Sequence, residues 1–439
     1  MTADALIVGA GPAGAWAAYR LARAGVRVTI FDPSHPREKP CGGGVTGRAL
    51  GLVADVLPRF PRTVVVTRAR FDRLGCLTGD EPDGCGSEIP VLVAGPGRAR
   101  IGVEVPLPAH GLSTATGLVV ASRREFDAAL LDAAVEAGAS LVRERAREVS
   151  ASVAGVEVQT AGGRHQGTWL LGADGAGSLV RRRVARPFRR AQLSIAAGVF
   201  AHGATTTMID LACLAEPPGY LWSFPRPDHL AVGIGCPADR GVTAHALQTA
   251  SRRWLERAGM APAARLESYG WPIPSLTAAD LARERPAGPR WMLLGDAAGL
   301  VDPLTREGIY FALLSGAWAA EALVKDPGRA ASTYAARLRE EIHPELSRAA
   351  RLRDGFFRAD FLGLLLQALA ESPRIAAVMA DLIAGRQPYR GLRRRLLATG
   401  EWRHAGRLAA LATRDLLRAD RARGARRGAR RLDTPLTQT

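Results

Sequence analysis

The chain has 439 residues, of which 47% are hydrophobic, and a formal net charge of +17. This size predicts two or three subdomains around a large core. No apolar run reaches about 18 residues, so we expect no membrane-spanning helix. The N-terminus has no charged-then-apolar leader, which predicts a cytoplasmic protein.

The cysteines show no metal-ligand spacing, so we expect no metal site. Cys76 and Cys85 could be bridged, but an odd number of cysteines in an unexported chain favours free thiols. The five are Cys41, Cys76, Cys85, Cys213 and Cys236.

The positive charge is concentrated near the C-terminus. Residues 385–433 hold fifteen arginines and four acidic residues, which is +11 of the total. Such a tail is typical of a solvated helical end, but it could also attract anionic lipid headgroups or a diphosphate substrate. Because no aromatic residues interrupt "RADRARGARRGARRL", we expect no nucleic-acid binding. We expect a monomer with, at most, peripheral contact at the inner face of a membrane.

The first 32 residues have the pattern of a strand, a glycine-rich turn, a helix and a second strand. "DALIVGA" is continuously apolar, as in a buried parallel sheet, and "GPAGAWAAYRLARAG" and "VRVTIFD" follow it. Residues 62–108 are rich in Gly and Pro, with short β-like runs. Residues 122–139 predict an amphipathic helix with Ser122 as its N-cap.

The rest of the chain changes from strands to helices. Alternating apolar residues from 191 to 236 predict an antiparallel sheet, and a helix is predicted at 243–258. A buried strand at 290–296 and a long apolar helix at 307–324 come next, and the pattern after residue 328 is helical.

This order predicts an α/β protein with an α+β insert: a discontinuous Rossmann-like cofactor-binding domain, an inserted antiparallel-sheet substrate domain and a C-terminal helical region. The predicted cofactor domain comprises residues 1–60, 100–180 and 285–325. The predicted substrate domain comprises 61–99 and 181–284, and the helical region with its basic tail comprises 326–439.

The turn "GAGPAG" joins the first strand to the first helix. Gly9 permits the tight turn, Gly11 lets a pyrophosphate approach the backbone, and Gly14 permits close packing of helix on strand. Asp32, 18 residues after Gly14, is placed to accept hydrogen bonds from ribose hydroxyls. The pattern predicts a dinucleotide cofactor but does not distinguish NAD from FAD.

Two later stretches resemble FAD-binding flavoproteins of the p-hydroxybenzoate hydroxylase fold. They are "LLGADGAGSLVRR" (170–182) and "MLLGDAAGLVDPLTREGIYFAL" (292–313). The resemblance implies FAD, with Asp296 at the ribityl chain or pyrophosphate. It also implies a helix that begins near Gly308 and directs its positive end at the isoalloxazine. Further cofactor residues implied by the resemblance are Ala13, Asp174, Gly175, Gly295 and Ile309.

The motif "R-x-x-F-D", from Arg123 to Asp127, also matches that superfamily. The resemblance implies that Arg123 lies near the cofactor and that the backbone of Val149 faces the adenine. The alternative for Arg123 is an ordinary charge on a helix surface.

Two segments narrow the resemblance to the geranylgeranyl reductase family. They are "KPCGGG" and "GYLWSFPRPDHLAVGIG" (219–235), and the family pattern Y-x-W-x-F-P followed by V-G corresponds to Tyr220, Trp222, Phe224, Pro225, Val232 and Gly233. The family's "NPFTGEGI" stands here as "DPLTREGI", so Asp302 replaces an asparagine and Arg306 replaces a glycine beside the flavin. A bulky cation at 306 could change access to the site or the preferred charge of the substrate.

The run Gly42, Gly43 and Gly44 would let the backbone lie against the flavin, where any Cβ would collide. The resemblance implies that Cys41, at its edge, shapes the site or supplies a proton. The alternative is a packed, unreactive thiol.

Strand alternation places Tyr220, Trp222 and Phe224 on one face. They form either an aromatic wall over the flavin or ordinary sheet core. Pro225 and Arg306 complete the expected substrate contacts.

The resemblance implies an FAD-dependent reductase of carbon–carbon double bonds in an isoprenoid or similarly apolar substrate. An isolated alkene accepts hydride poorly unless a proton arrives at the other carbon, from Cys41, Tyr220 or a held water. Trp222 and Phe224 would stabilise positive charge through their π faces. Because the sequence shows no second dinucleotide domain, NAD(P)H would bind transiently, or a small electron carrier would replace it.

Three other functions stay open, because a fold does not dictate a chemistry. The first is a flavin monooxygenase or halogenase, although Lys39 is the only lysine near the expected cofactor and "YLWSFP" lacks the second Trp and the Ile of a halogenase W-x-W-x-I-P segment. The second is a lycopene-type cyclase without net redox. The third is a flavin-bearing, membrane-associated binding protein that uses the basic tail.

Overall fold

The computed structural model describes residues 4–59, 62–74, 102–108, 117–260, 265–403 and 406–407. Cys76, Cys85, most of the predicted 61–99 segment and the chain from 408 onward lie outside these ranges. In chain order the strands of the described residues are β1 (Asp4–Val8), β2 (Arg27–Phe31), β3 (Gly44–Thr46), β4 (Thr63–Val65), β5 (Arg68–Arg73), β6 (Val103–Pro106), β7 (Leu118–Ala121), β8 (Ser140–Val142), β9 (Glu148–Ala151), β10 (Val156–Gln159), β11 (Arg164–Gly167), β12 (Trp169–Gly172), β13 (Leu193–His202), β14 (Met208–Leu214), β15 (Gly219–Pro225), β16 (His229–Pro237), β17 (Arg265–Pro274), β18 (Ala287–Gly288) and β19 (Trp291–Leu293).

The helices confirm the helical predictions. The helix expected at 122–139 is α3, where the Ser122 hydroxyl accepts a hydrogen bond from the Glu125 backbone N–H. The helices expected at 243–258 and 307–324 are α5 and α7. In chain order the described α-helices are α1 (Pro12–Arg23), α2 (Gly47–Leu52), α3 (Arg123–Glu136), α4 (Leu179–Val184), α5 (Ala244–Arg257), α6 (Ala278–Leu281), α7 (Ile309–Lys325), α8 (Ala330–Arg337), α9 (His343–Phe356), α10 (Ala359–Glu371), α11 (Pro373–Ile383) and α12 (Leu392–Ala398).

The first layer is a six-stranded sheet with the order β18-β19-β12-β1-β2-β8. All neighbouring pairs are parallel except β18–β19. α1 packs against β1 and β2, and the small β9–β10–β11 sheet also contacts β1. Because both faces of β1 are covered, the strand can be continuously apolar. The predicted Rossmann-like layer is therefore confirmed.

α1 and α7 cross closely because a glycine lies at the crossing. A Cβ on Gly316 of α7 would lie 2.5 Å from the carbonyl oxygen of Ala13. Gly14 allows an equally close contact within the turn, since its Cβ would lie 2.0 Å from the carbonyl oxygen of Gly9. The start of α1 therefore packs against the middle of α7.

The second layer is a seven-stranded sheet with the order β17-β13-β16-β15-β14-β5-β6. It is antiparallel except for the β14–β5 pair, which confirms the antiparallel sheet predicted between 191 and 236. α5 covers one face through Leu247 and Leu255. β6 belongs to this sheet, whereas the domain boundary predicted at residue 100 assigned it to the first layer.

The described part of the C-terminal region is helical, as predicted, from Ala330 to Ala398. α10 and α11 pack on β5 and β6, with Leu365, Leu369 and Ile375 in the shared core. Among the described residues no single helix has the length and apolarity to span a bilayer. The α10–α11 pair, bent by 113°, meets that criterion only when both helices are counted together.

Candidate active site

A cavity of about 240 Å³ lies where the two sheets and the C-terminal helices meet. It brings together twelve of the residues predicted from the sequence. They are Cys41, Gly42, Gly43, Gly44, Arg123, Tyr220, Trp222, Phe224, Asp296, Arg306, Gly308 and Ile309. Predicted residues that do not line it are Gly9, Gly11, Ala13, Gly14, Asp32, Val149, Asp174, Gly175, Pro225 and Gly295.

β15 supplies the aromatic side of the cavity. Tyr220, Trp222 and Phe224 all line it, whereas Leu221 is buried in the core on the α5 side of the sheet. Trp222 rests against β16, because a Cβ on Gly233 would lie 2.6 Å from its ring. The predicted alternation of this strand is therefore confirmed.

The glycines of "KPCGGG" make room for protein atoms. A Cβ on Gly42 or Gly44 would lie 3.0 or 3.1 Å from the ring of Phe224. Gly43 has φ +83°, and its Cβ would lie 2.6 Å from the carbonyl oxygen of Ala121 and 3.0 Å from Arg226 Nε. The expected contact of these glycines with the flavin stays a prediction, and the close contacts within the chain are a second reason for the lack of side chains.

Arg226 fixes the Cys-Gly loop through buried contacts. It is fully buried, donates to the Cys41 carbonyl oxygen at 2.5 Å and contacts the Glu38 carboxylate. Burial lowers its pKa to about 10, with Tyr269 and Asp228 opposing the shift. Sequence reasoning missed this residue, although its place directly after the Y-x-W-x-F-P strand was a signal.

The Cys41 thiol lies beside a cation. Arg123 Nη1 donates to Cys41 Sγ at 3.2 Å, and Arg226 Nη2 lies 3.8 Å from the same sulfur. Cys41 itself is half-buried and lines the cavity. Two guanidinium groups therefore contact the sulfur, so this thiol has polar neighbours that a thiol packed in the core lacks.

Arg123 is fixed by a buried ion pair. It is 2% exposed and binds Asp127 with two hydrogen bonds, at 3.0 and 2.8 Å. Burial opposes its charge, but Asp127 and Cys41 outweigh burial and raise its pKa. This i,i+4 pair accounts for the "R-x-x-F-D" spacing, and it excludes the alternative of a surface charge.

The network continues through His35 to the end of β2. His35 lies between Asp127, at 3.4 Å, and Asp32, at 2.9 Å. Burial would lower the His35 pKa, but the two carboxylates outweigh burial and raise it.

Asp32 is 6% exposed, and its oxygens accept hydrogen bonds from the backbone of Ala10, Ser34 and His35 and from two side chains. Ribose binding by Asp32 stays a prediction.

The loop before α7 forms a third side of the cavity. Tyr220 donates its hydroxyl proton to the Thr305 carbonyl oxygen at 2.8 Å, and burial raises the Tyr220 pKa well above its usual value. Asp302 is buried, and its Oδ1 accepts the N–H groups of Leu304 and Thr305. Burial raises the pKa of this carboxyl despite those donors.

Arg306 has φ +63°, a left-handed conformation that costs a non-glycine residue about 1–3 kcal/mol. The residue therefore occupies a backbone conformation suited to glycine.

The dinucleotide elements fit FAD. Gly11 is the N-cap of α1, and no side chain caps the first-turn amides. A Cβ on Gly11 would meet only His35 Nε2, at 3.8 Å, so the backbone there is open to a pyrophosphate. Gly308 is the N-cap of α7, and no side chain caps this helix either. Because Gly308 lines the cavity, the positive end of α7 faces the cavity.

Lys39 Nζ lies 3.2 Å from Asp296 Oδ2, and both residues line the cavity. The Asp296 carboxylate is therefore paired with the one lysine of this region.

Three predicted cofactor residues have structural contacts of their own. Asp174 accepts the Ser178 hydroxyl and the backbone N–H groups of Leu179 and Val180 at the start of α4. Val149 is buried in β9 and pairs with Val158. Gly295 has φ +53° and packs between Ala13 and Ala312. Their contacts with FAD stay predictions.

The C-terminal region also contributes to the cavity, which sequence reasoning missed. Phe356, Phe357, Met379, Leu382 and Ile383 line it. An apolar helix gives no local signal of which distant surface it covers, so only the packing of α10 and α11 on the second sheet reveals this wall.

The sequence matches the family model described as "FAD binding domain" over residues 2–313. The chain belongs to this family. It is an FAD-dependent oxidoreductase, and the match covers the glycine-rich turn, both later FAD motifs and the aromatic strand of the cavity.

Two relatives support the predicted resemblance to the geranylgeranyl reductase family. The flavoprotein is 31% identical to the menaquinone reductase of Mycolicibacterium smegmatis, over 73% of this chain and 76% of that protein. It is 29% identical to the geranylgeranyl diphosphate reductase of Rhodobacter capsulatus, over 73% of this chain and 75% of that protein. The resemblance is therefore confirmed.

Solved structures confirm the fold. A geranylgeranyl bacteriochlorophyll reductase-like protein from Thermoplasma acidophilum matches with a TM-score of 0.68 and 21% identity, over 90% of this chain and 99% of that one. A flavin-dependent halogenase matches with a TM-score of 0.61 and 17% identity, over 91% of this chain and 78% of that one. At these identities the likeness establishes the fold alone.

Proposed function

We propose that this flavoprotein reduces carbon–carbon double bonds in an isoprenoid or similarly apolar substrate. The observation that carries the proposal is one continuous cavity. At one end it meets Pro12, Asp296 and Gly308 of the cofactor layer, and at the other it is walled by aromatic and aliphatic side chains from β15 and the C-terminal helices. The names of the two relatives, one a reductase of a quinone and one of a prenyl diphosphate, support the same substrate class.

FAD would be held by the open amides at the start of α1 and by Asp296, with the start of α7 at its ring. When bound, it supplies the two electrons of the reduction as hydride. We expect NAD(P)H, or a small electron carrier, as the transient donor of those electrons.

The second hydrogen must arrive as a proton, and Cys41 is the better placed of the two side-chain candidates. The Tyr220 proton is already donated to the Thr305 carbonyl oxygen, and burial raises the Tyr220 pKa. After Cys41 gives up its proton, Arg123 stabilises the sulfur that remains. The role of Tyr220 is then to fix the loop before α7 against the aromatic wall.

Trp222 and Phe224 complete the aromatic wall of the cavity. Trp222 is 4% exposed, so its ring removes water from that side of the cavity. The π faces of these rings would stabilise positive charge as the proton arrives at the alkene, an effect of about 0.5–2 kcal/mol for a desolvated contact.

Anaerobic reduction of the FAD-loaded protein with dithionite, followed by prenyl compounds one at a time, tests the proposal. We expect the absorbance of oxidised flavin to return and the product to be heavier than the substrate by two hydrogen atoms. Reoxidation without that mass gain, or no reoxidation by any prenyl compound, would refute the reductase.

A monooxygenase or halogenase is the second candidate, favoured by the similarity to a solved halogenase fold. Its signature would be rapid NADPH oxidation in air with peroxide release, stimulated by an aromatic compound. In the structure Lys39, the only lysine near the cavity, is paired with Asp296. A cyclase would instead give a product of unchanged mass.

A further inference from the structure

One wall of the cavity carries positive charge without a matching carboxylate. Arg306 lines the cavity beside Tyr220, and its Nη1 donates to Ser275 Oγ at 2.7 Å. Within the described ranges, no carboxylate lies within ion-pair distance of this guanidinium, and its buried Nε has no hydrogen-bond partner. A partly desolvated cation without an anionic partner is costly to keep, so an anionic ligand group would stabilise it.

A second arginine faces the same hydroxyl. Arg353 Nη1, from α9, lies 2.8 Å from Ser275 Oγ, so two guanidinium groups share one small acceptor. The acidic partner of Arg353 is Asp354, whose side chain is 68% exposed, and solvent screens that pair. Like charges brought together around a neutral hydroxyl are typical of a site that binds an anion.

The pKa of Arg306 agrees with this geometry. Burial and, to a smaller extent, the Arg353 charge lower it to about 10, while Tyr220 and Asp302 act in the opposite direction. Arg306 therefore remains protonated at neutral pH and available to an anion.

We propose that Arg306, supported by Arg353 and Ser275, recognises an acidic oxygen group, a carboxylate or a phosphate, on the apolar substrate. The inference rests on the function proposed above and narrows its substrate class. The substrate has an aliphatic part that contacts the aromatic wall and an anionic end that binds Arg306. The guanidinium offers paired N–H donors that match two oxygens of such a group.

Equilibrium dialysis of the FAD-loaded protein, with bound compound measured by mass spectrometry, tests the inference without turnover. The probes are geranylgeraniol, geranylgeranoic acid and geranylgeranyl monophosphate, which share one prenyl chain. We expect an acidic probe to bind about 10- to 100-fold more tightly than the alcohol, as a charge-assisted hydrogen bond predicts. The tighter acidic probe shows whether the group is a carboxylate or a phosphate.

Two variants assign the effect to Arg306. Arg306→Gly suits the left-handed backbone and should remove the preference for the acidic probe while geranylgeraniol binding is kept; Arg306→Lys should keep part of the preference. Arg351→Gln, which removes an exposed charge from the same helix as Arg353, is the matched control and should keep all of it.

Equal binding of alcohol and acids by the unaltered protein, or acid binding unchanged in Arg306→Gly, would overturn the subsite. If the reduced protein still reduced geranylgeraniol in either case, the proposed reductase would stand. If none of the three probes bound, both proposals would fall.

Discussion

Gly43 has the strictest backbone requirement of the three glycines in the Cys-Gly loop. Its φ of +83° lies in the left-handed region, and its missing Cβ leaves room for Ala121 and Arg226. The neighbouring glycines leave room for the Phe224 ring. The loop is therefore shaped by the aromatic strand and by a buried arginine, and this shape presents Cys41 to the cavity.

Gly43→Ala should destabilise the protein by about 1–3 kcal/mol, because alanine is strained at this φ and its Cβ would meet a carbonyl oxygen. Urea unfolding followed by circular dichroism measures the effect. Gly51→Ala is the control: Gly51 is an exposed helical residue with nothing near its Cβ, and alanine should stabilise it by roughly 0.5–1 kcal/mol. Equal effects of the two changes would contradict the account of the loop.

Cys41→Ala should slow single-turnover reoxidation of the reduced flavin by a prenyl substrate at least about 100-fold, the usual contribution of a general acid. Stopped-flow absorbance under anaerobic conditions measures the rate. Cys236→Ala, which removes a buried thiol that does not line the cavity, should leave it unchanged. An unaltered rate in Cys41→Ala removes the thiol from the proton path.

At the scale of secondary-structure elements, the crossing of α1 and α7 and their uncapped N-termini determine the geometry of the site. α1 and α7 both begin without a side-chain cap, and the contact between Gly316 and Ala13 brings them together. We expect their free amides to contact one cofactor, which stays a prediction. The strand β15 then sets the opposite wall through simple alternation.

Gly316→Ala should weaken FAD binding and lower stability by about 1–3 kcal/mol, because its Cβ would push α7 away from the Ala13 carbonyl. FAD affinity is measured by the rise in flavin fluorescence on dilution, and stability by urea unfolding. Gly363→Ala in α10, where nothing surrounds the Cβ, should keep FAD affinity. Normal FAD affinity in Gly316→Ala would show that the crossing is not needed.

His343, at the start of α9, should make the protein sensitive to acid. It is 8% exposed, and burial followed by the nearby Arg339 charge lowers its pKa to about 4 from 6.5. The unfolded chain therefore takes up this proton first as the pH falls, and stability is lost between pH 6.5 and 4 at up to about 1.4 kcal/mol per pH unit.

His343→Gln should reduce the difference in the urea midpoint between pH 7 and pH 5. His35 has the opposite sign: its pKa is raised, so the stability it contributes is present below pH 6.5 and is lost as the pH rises through its folded pKa. An identical pH dependence in His343→Gln and the unaltered protein would show that His343 contributes nothing.

At the scale of the whole molecule, the cavity joins parts of the chain that are far apart in sequence. The loop around Cys41, the strand at Tyr220 and the helical segment at Met379 all meet there. The first two could be predicted, because each carries a motif that reports its own local structure. The third could not, since the apolar pattern of α10 and α11 is the same whichever surface they cover. Arg226 and the placement of β6 were missed because both depend on contacts with parts of the chain that are distant in sequence.

The basic tail should act on the molecule as a whole through its charge. Deletion of 421–439 removes six arginines and one aspartate, and each arginine near an anionic surface contributes about 1 kcal/mol. We expect weaker sedimentation with phosphatidylglycerol vesicles, no change with phosphatidylcholine vesicles, and full turnover of a soluble prenyl compound. Unchanged sedimentation with the anionic vesicles would exclude the tail as a membrane contact.

The left-handed backbone at position 306 has a consequence for how this protein can evolve. Arginine codons of the form CGN become glycine codons GGN by one base change, and the φ of +63° already suits glycine. Exchange of the two therefore needs no adjustment of the surrounding loop. Under the role proposed for Arg306, one base change would therefore exchange an acid-selecting cavity for a neutral one.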